Sequence, residues 1–264
     1  MEQMTKNQKK SGPAVTRALF DEYARDYHTR FNANPVARYQ RGQIHRHIRT
    51  LVGPGQTVLD GGCGPGSDFP LWRDLGVHLT ALDPSAGMLR AAARQATALG
   101  LAVDLQQGGL GDFQPQKNFD LILLNFGVIN LFSDPNPILS RAGNWLNTGG
   151  HLLVVAMPPF HLAFWLEKFL AGKKAVANGR LAGKVILANG TEVFYGGRPE
   201  PGPELEWVGR QSLGWLLPTP EQAGRFPLLA GLSRLAMVPD YLGGRWIPEA
   251  WGGDHLLYCF RKRA

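Results

Sequence analysis

The feature that most constrains this chain is a glycine cluster placed directly after a short apolar run. The segment Val58–Asp68 reads VLDGGCGPGSD, and the pattern after it predicts a helix that begins at Phe69. Glycines between a buried strand and a helix let a ligand approach the backbone at the helix N-terminus. The segment therefore predicts an α/β fold with a binding site at the carboxyl end of a parallel strand.

The spacing of the glycines excludes two common nucleotide-binding loops. The dinucleotide fingerprint needs glycines at positions n, n+2 and n+5. From each candidate starting glycine, one required position falls on Cys63, Ser67 or Phe69. The Gly-Lys-Ser/Thr ending of a Walker loop is also absent from the sequence. The remaining pattern is an acid followed by alternating glycines: Asp60, Gly62, Gly64 and Gly66.

Apolar runs alternate with helical patterns from residue 57 to residue 157. This alternation implies βαβ units with right-handed crossovers and a parallel sheet. We predict a doubly wound, Rossmann-like, mostly parallel sheet of seven strands, with a lid inserted between the fifth and last strands. The predicted strands of this region are Thr57–Asp60, His78–Asp83, Val103–Gln106, Phe119–Asn125 and His151–Met157; the helices are Phe69–Leu75, Pro84–Leu99 and Pro135–Leu146. Two further helices are predicted before them, over residues 15–31 and after the Asn34-Pro35 break.

After residue 157 the alternation stops. The Asn189-Gly190 pair predicts a hairpin, and further patterns predict a helix over Phe160–Ala171, a strand over Trp207–Leu213, an interrupted helix over Glu221–Met237 and a last strand over His255–Arg261. We therefore divide the chain into four parts. Residues 1–14 form a disordered basic tail, 15–157 the N-terminal helices and the cofactor-binding core, 158–253 a lid that binds substrate, and 254–264 the last strand of the core sheet.

The net charge of +7 is concentrated at one end of the chain. Residues 1–50 contain ten Lys or Arg and four Asp or Glu, so +6 of the charge lies there. A basic tail with one basic helix face explains this distribution better than a nucleic-acid footprint. The two cysteines have no metal-ligand spacing, which predicts a cytoplasmic protein without a metal site. We expect neither a signal peptide nor a membrane span.

Four segments in order resemble the motifs of class I S-adenosylmethionine-dependent methyltransferases. VLDGGCGPG resembles the first motif, and HLTALDPS ends its strand with Asp83, 23 residues after Asp60. FDLILLNFGVIN resembles the fourth strand with the active-site loop, and LNTGGHLLVVA resembles the turn into the fifth strand. The resemblance covers residues 57–157. It implies S-adenosyl-L-methionine as cofactor and S-adenosyl-L-homocysteine as product.

The resemblance also implies roles for individual residues. Gly62, Gly64 and Gly66 would let the methionyl part of the cofactor lie on the loop. Asp60 would orient the cofactor's amino group, and Asp83 would hold the ribose hydroxyls. Asn125 and Phe126 would offer backbone contacts beside the sulfonium. The family's acid after the third strand arrives late here, as Asp112, so the backbone of Gly109 and Leu110 is the predicted adenine contact.

Two residues near the N-terminus are further candidates for the cofactor site. Tyr27 occupies a position where resembling sequences carry an aromatic that covers the cofactor, although core packing of an amphipathic helix explains it as well. Arg41 is a candidate partner of the cofactor carboxylate, and a solvated helix charge is the alternative.

The acceptor side is less defined by the sequence. Methyl transfer from a sulfonium requires alignment and exclusion of water, and an acceptor that loses a proton also needs a base. The candidate bases are His161, which we place first, and His255, with His28 behind them. The aromatic-rich lid predicts a small, mostly apolar metabolite as acceptor, methylated on oxygen. A looser resemblance of residues 20–35 and 125–130 to bacterial methyltransferases of secondary metabolism agrees with this.

Two alternatives stay open at the level of sequence. The basic N-terminal region is compatible with an RNA or protein substrate. The cofactor motifs are equally compatible with a protein that binds S-adenosylmethionine without transferring its methyl group, such as a regulatory partner or a cyclase. A homodimer is compatible with the sequence.

Overall fold

The structure, a computed structural model, describes residues 34–187, 190–225 and 227–263. The predicted tail and the predicted helix over residues 15–31, with Tyr27 and His28, lie outside this range. The described strands are β1 Thr57–Gly61, β2 His78–Asp83, β3 Val103–Gln107, β4 Phe119–Leu124, β5 Leu146–Ala156, β6 Lys184–Ile186, β7 Glu192–Phe194, β8 Leu205–Leu213 and β9 His255–Lys262. The described helices are α1 Pro35–Ile48, α2 Phe69–Leu75, α3 Ala86–Leu99, α4 Asn136–Asn144, α5 Leu162–Leu170, α6 Lys174–Gly179, α7 Pro220–Arg225 and α8 Pro227–Gly243. Two 3-10 turns span Val128–Leu131 and Glu249–Trp251.

Seven of the strands form one sheet in the order β3-β2-β1-β4-β5-β9-β8. The first five are parallel, while β9 is antiparallel to both of its neighbours. The order reverses between β1 and β4, and this switch point is where open α/β sheets bind ligands, beyond the carboxyl ends of the strands. The predicted fold class is confirmed.

Helices cover both faces of the sheet because β4 and β5 are apolar on both sides. On one face, Leu121 and Leu123 of β4 pack with Trp72 of α2 and Ile44 of α1. On the other face, the alternate strand residues pack with Leu139 of α4 and with neighbouring side chains. This packing on the two faces places the ends of α1, α2 and β4 around one edge of the sheet.

Local sequence explains where the helices begin. Asn34 caps α1, because its Oδ1 accepts hydrogen bonds from the backbone N–H groups of Val36 and Ala37 at 3.0 and 3.3 Å. Ser85 caps α3 in the same way by accepting from Met88 N at 3.0 Å. The prediction that α3 contains Pro84 in its first turn was therefore wrong, since Pro84 precedes the cap.

The fifth strand begins earlier than predicted. It starts at Leu146 instead of His151, and α4 ends at Asn144 instead of Leu146. Gly149 has a φ of 80°, and a Cβ on Gly150 would lie 2.9–3.1 Å from three carbonyl oxygens. The glycine pair lets this chain pass directly against the start of β4, so it continues the strand instead of separating it from the helix.

The segment 158–253, predicted as one inserted lid, is divided by the sheet. Leu205–Leu213 pairs with β9, with one irregularity between Trp207 and Gly209, and is the edge strand of the core. The rest of the segment stays outside the sheet and includes the hairpin of β6 and β7, which pair antiparallel as the Asn-Gly signal predicted. None of the helices in the described part of the chain is long and apolar enough to cross a membrane.

Candidate active site

The glycine loop after β1 bends with a backbone that side chains rarely adopt. Gly62 and Gly64 have φ values of 78° and 55°. A Cβ on Gly62 would meet Val128 at 2.5 Å, whereas a Cβ on Gly64 would meet no atom within 4 Å. The loop is therefore closed by protein at Gly62 and opens into free space at Gly64, which is the shape of a cradle for a ligand.

Asp83, at the end of β2, is attached to this loop. One carboxylate oxygen accepts from Gly64 N at 2.9 Å, and the other accepts from Ser85 N at 2.9 Å. The side chain is 7% exposed. The two backbone donors fix the carboxylate at the rim of the cradle, where sequence reasoning placed the ribose-binding acid.

Asp60, at the end of β1, lies deeper. It is 1% exposed, and one carboxylate oxygen accepts from Trp72 Nε1 at 3.1 Å. Burial, followed by the nearby charge of Asp68, raises the pKa of Asp60 to about 7, although the Trp72 hydrogen bond and Arg41 act in the opposite direction. The floor of the cradle therefore contains a carboxyl group whose ionisation is energetically unfavourable unless a cation lies beside it.

Asp68, at the end of the glycine segment, connects three elements. Its carboxylate contacts Arg41 Nη1 at 2.5 Å and His45 Nε2 at 2.7 Å on α1, and it accepts from Asn125 Nδ2 at 2.9 Å after β4. Burial alone would raise the pKa of Asp68, but Arg41 and His45 outweigh it and hold the pKa well below its usual range. Sequence reasoning assigned no role to Asp68 or His45, because their proximity depends on how α1 packs on the sheet.

The structure brings Arg41, Asn125 and Phe126 into the same site. Phe126 has a φ of 47°, which lies in the left-handed region of the backbone. Among the described residues, the others in this region are glycines. Such strain in an ordered segment is typical of functional sites. The Arg41 guanidinium lies 4.6 Å from the centre of the Phe126 ring. Arg41 is thus held against the site instead of being the solvated helix charge that was its alternative explanation.

The predicted adenine side is formed by the turn after β3. Gly108 N donates to Asp83 O at 3.2 Å, which keeps this turn beside the cradle. The carbonyl of Gly109 already accepts from Asp112 N and Phe113 N, both at 3.1 Å, and Leu110 is buried. Asp112 is exposed. The contact of Gly109 and Leu110 with adenine stays a prediction.

His255 also contacts Phe126. The two rings meet edge to face with centroids 5.2 Å apart. His255 Nδ1 lies 3.1 Å from Asp254 Oδ2, and the same oxygen accepts from Gln40 Nε2 at 3.0 Å. Burial alone would raise the pKa of Asp254, but His255 outweighs it and keeps the pKa well below its usual range. An ionised, buried carboxylate therefore faces this imidazole.

His161 has a different environment. It is 1% exposed, and its Nε2 lies 2.9 Å from the carbonyl oxygen of Leu217. Burial lowers the pKa of His161, and Arg180 lowers it further against the opposing effect of Asp254. A neutral ring that donates to Leu217 ties the segment after β5 to the segment before α7.

A cavity of about 270 Å³ lies beside the ends of β4 and β5. It is lined by residues that follow these strands and by the segment after β7, including Asn130, Met157, Tyr195 and Arg198. His161 and His255 are not among its lining residues. In the described part of the chain, no group of three or more His, Cys, Asp or Glu side chains is arranged to hold a metal ion.

Comparison with known proteins defines the class to which this fold and site belong. A family model described as "Methyltransferase domain" matches residues 58–150, which contain β1 to the start of β5. This match and the relatives given below support a class I S-adenosylmethionine-dependent methyltransferase, with S-adenosyl-L-methionine as its methyl donor. The residues present fit this donor, because the space beside Gly64 is open and the buried carboxylate of Asp83 accepts from Gly64 N next to it.

Among curated proteins, the chain is 27% identical over 217 residues to the demethylmenaquinone methyltransferase of Renibacterium salmoninarum, covering 77% of this chain and 84% of that one. It is 45% identical over 73 residues to the malonyl-[acyl-carrier protein] O-methyltransferase of Pseudescherichia vulneris, which spans 28% of that relative.

Among solved structures, it resembles the 1,6-didemethyltoxoflavin-N1-methyltransferase of Burkholderia thailandensis with a TM-score of 0.58 at 16% identity, over 95% of this chain and 88% of that one. It also resembles the [4+2]-cyclase SpnF with a TM-score of 0.59 at 16% identity, over 96% of this chain and 98% of that one. At these identities the structural likeness shows the fold.

Proposed function

We propose that this enzyme methylates an oxygen atom of a small, mostly apolar metabolite, with His255 as the base. The observation that carries the proposal is the Asp254–His255 pair next to Phe126. Phe126 follows β4 at the edge of the sheet where the cofactor motifs meet. When an ionised carboxylate lies beside one nitrogen of a buried imidazole, the other nitrogen is available to accept a proton.

The chain's own residues perform three tasks in this mechanism. The donor supplies an electrophilic methyl group on a sulfonium. Asp60 and Asp83 hold the donor on the glycine loop, and the strained Phe126 backbone shapes the place where the acceptor meets it. The carboxylate of Asp254 lies beside Nδ1 of His255 and would stabilise the protonated ring, so that Nε2 would take the proton from an acceptor hydroxyl. Water exclusion and alignment supply the remaining acceleration.

We favour His255 over His161 as the base, which reverses the order of preference drawn from the sequence. Nε2 of His161 is occupied by the Leu217 carbonyl, and the ring is almost completely enclosed. His161 therefore joins two segments of the lid instead of facing an acceptor. His255 contacts Phe126, two residues beyond the end of β4, which is where we place the acceptor.

The class of acceptor is supported by two observations. The parts of residues 158–253 outside the sheet, which we assign as the lid, contain aromatic residues that pack together, such as Phe160 and Trp251 with ring centroids 5.6 Å apart. One relative, which matches 77% of this chain, is by its name a demethylmenaquinone methyltransferase, and we take from it a small-molecule acceptor. Cys63 and Cys259 are free and buried, which fits a reducing compartment, and we place the enzyme in the cytoplasm.

The test has two stages. Isothermal titration should first show micromolar binding of S-adenosyl-L-homocysteine. Mass spectrometry should then detect a methyl ether after incubation with S-adenosyl-L-methionine and a panel of phenols and hydroxyquinones. Binding without any methylated product across the panel would favour a protein that uses the cofactor without transfer, and methylation only of nitrogen or carbon would contradict the proposed chemistry.

Single variants test the role of the base. His255→Gln should lower kcat by about a hundredfold or more while cofactor binding stays within about twofold, because general bases contribute factors of this size. The matched control is His161→Gln, which should keep kcat within about threefold. A raised pH should partly rescue His255→Gln by ionising the acceptor hydroxyl. Full activity of His255→Gln would refute the assignment.

A further inference from the structure

The apolar surface of this protein is unevenly distributed. Among the described residues, the large apolar side chains that are exposed all lie between Leu162 and Trp251. The most coherent group belongs to α8. Leu235 is 79%, Val238 65% and Leu242 66% exposed, and Trp246 follows the helix at 84%. Their spacing places them on one side of the helix and its extension.

The helix α8 is apolar on its outer side as well as on its inner side, where Ala236 and Met237 pack on a small apolar cluster. Its inner side contains the buried carboxylate of Asp240, which accepts from Tyr39 Oη at 3.0 Å, Gly214 N at 3.1 Å and Leu216 N at 3.0 Å. These bonds fix the helix rotation, so the three aliphatic side chains remain outward. An apolar stripe held outward by specific bonds marks an interaction surface.

The charges on this surface have one sign. Arg234 and Arg245 are exposed at its two ends, and Asp240, the one acid of residues 231–247, is buried. We name the set Arg234, Leu235, Val238, Leu242, Arg245 and Trp246 the α8 outer face. Leucine and tryptophan bordered by arginine are typical of a helix that lies in the interface of a membrane.

We propose that the α8 outer face docks on an anionic membrane surface, with its aliphatic side chains in the headgroup–acyl boundary and its arginines at the phosphates. The positive charge of the α8 outer face favours an anionic membrane over a second copy of the chain as its partner. A two-fold dimer would place the same face on both sides, so its arginines would meet no carboxylate there. This surface lies outside the cofactor loop, and its occupancy does not depend on the proposed acceptor.

The experiment measures binding of the full chain to vesicles by flotation. Vesicles of phosphatidylcholine alone are compared with an equal mixture of phosphatidylglycerol and phosphatidylcholine. The protein should bind the anionic vesicles and lose binding at high salt. Leu235→Ser with Leu242→Ser should weaken binding by about tenfold or more. The control is Leu181→Ser, a leucine 53% exposed after α6, which should bind nearly as the parent does.

Charge variants provide the second measurement. Arg234→Gln with Arg245→Gln should weaken binding to anionic vesicles by about thirtyfold, from about 1 kcal/mol for each arginine near the surface. Arg90→Gln with Arg94→Gln removes the same charge from exposed positions on α3 and should have little effect. Unchanged binding of S-adenosyl-L-homocysteine verifies that each variant is folded.

Three results would overturn the proposal. The first is absence of binding of the parent chain to anionic vesicles. The second is an equal loss of binding in the control variants, which would remove the assignment to α8. The third is a dimer in light scattering that Leu235→Ser with Leu242→Ser dissociates, because the face would then be an interface between copies of the chain.

Discussion

Replacement of Asp60 by asparagine should stabilise the protein while it weakens cofactor binding. Asp60 is 1% exposed, and burial followed by the charge of Asp68 raises its pKa from 3.8 to about 7. An asparagine keeps an oxygen that accepts from Trp72 but carries no charge to bury. The variant therefore separates the loss of folding stability caused by this buried carboxylate from its contribution to cofactor binding.

The sign and size follow from the pKa. A carboxyl group whose pKa is higher in the folded state contributes stability below its unfolded pKa and loses it as pH rises through the folded value. A rise from 3.8 to about 7 corresponds to about 4 kcal/mol at high pH. Part of this depends on Asp68, so we expect Asp60→Asn to gain about 2–4 kcal/mol at pH 8 and almost nothing at pH 4.

The assay is urea unfolding at several pH values without added cofactor, followed by titration with S-adenosyl-L-homocysteine. Asp83→Asn is the matched control with the opposite expected sign. Its carboxylate accepts from two backbone N–H groups, and an amide nitrogen placed against one of them should cost about 1–3 kcal/mol. A stability difference for Asp60→Asn that is absent at pH 8, or equal at all pH values, would refute the reasoning.

Two other variants test the cradle and the connection between α1 and the sheet. Gly64→Ala should fold with a loss of about 1–2 kcal/mol from its left-handed backbone, yet bind S-adenosyl-L-homocysteine at least tenfold more weakly by titration, since its Cβ enters the open space; unchanged affinity would place the ligand elsewhere. Asp68→Ala should lower the free energy of unfolding by about 3 kcal/mol at pH 7, because it leaves Arg41 and His45 without their carboxylate. The loss should shrink as pH falls below about 4, where the unfolded carboxyl protonates, and a pH-independent loss measured by urea unfolding would contradict it.

The sheet and its cofactor edge could be predicted from the sequence because both depend on local signals. The bounds of α2 and β2 follow directly from apolar runs and glycine positions. The end of α4 and the start of β5 did not follow from local signals. The Gly149-Gly150 pair predicts a helix end unless its contact with the start of β4 is known. Leu205–Leu213 has the pattern of a strand, but its place at the sheet edge depends on pairing with β9, about 50 residues later in the chain.

The sequence by itself determined the donor side of this enzyme. The predicted donor-binding residues, Asp60, the alternating glycines and Asp83, lie within one βαβ unit, and such short-range spacing can be read directly from the sequence. Only the tertiary structure revealed the partners of Asp68, the different environments of His255 and His161 on which the proposed base rests, and the outward side of α8. Each depends on contacts between segments far apart in sequence, such as Asp68 with Asn125 or Tyr39 with Asp240. Such contacts are set by how helices pack on the finished sheet, and no local pattern specifies them.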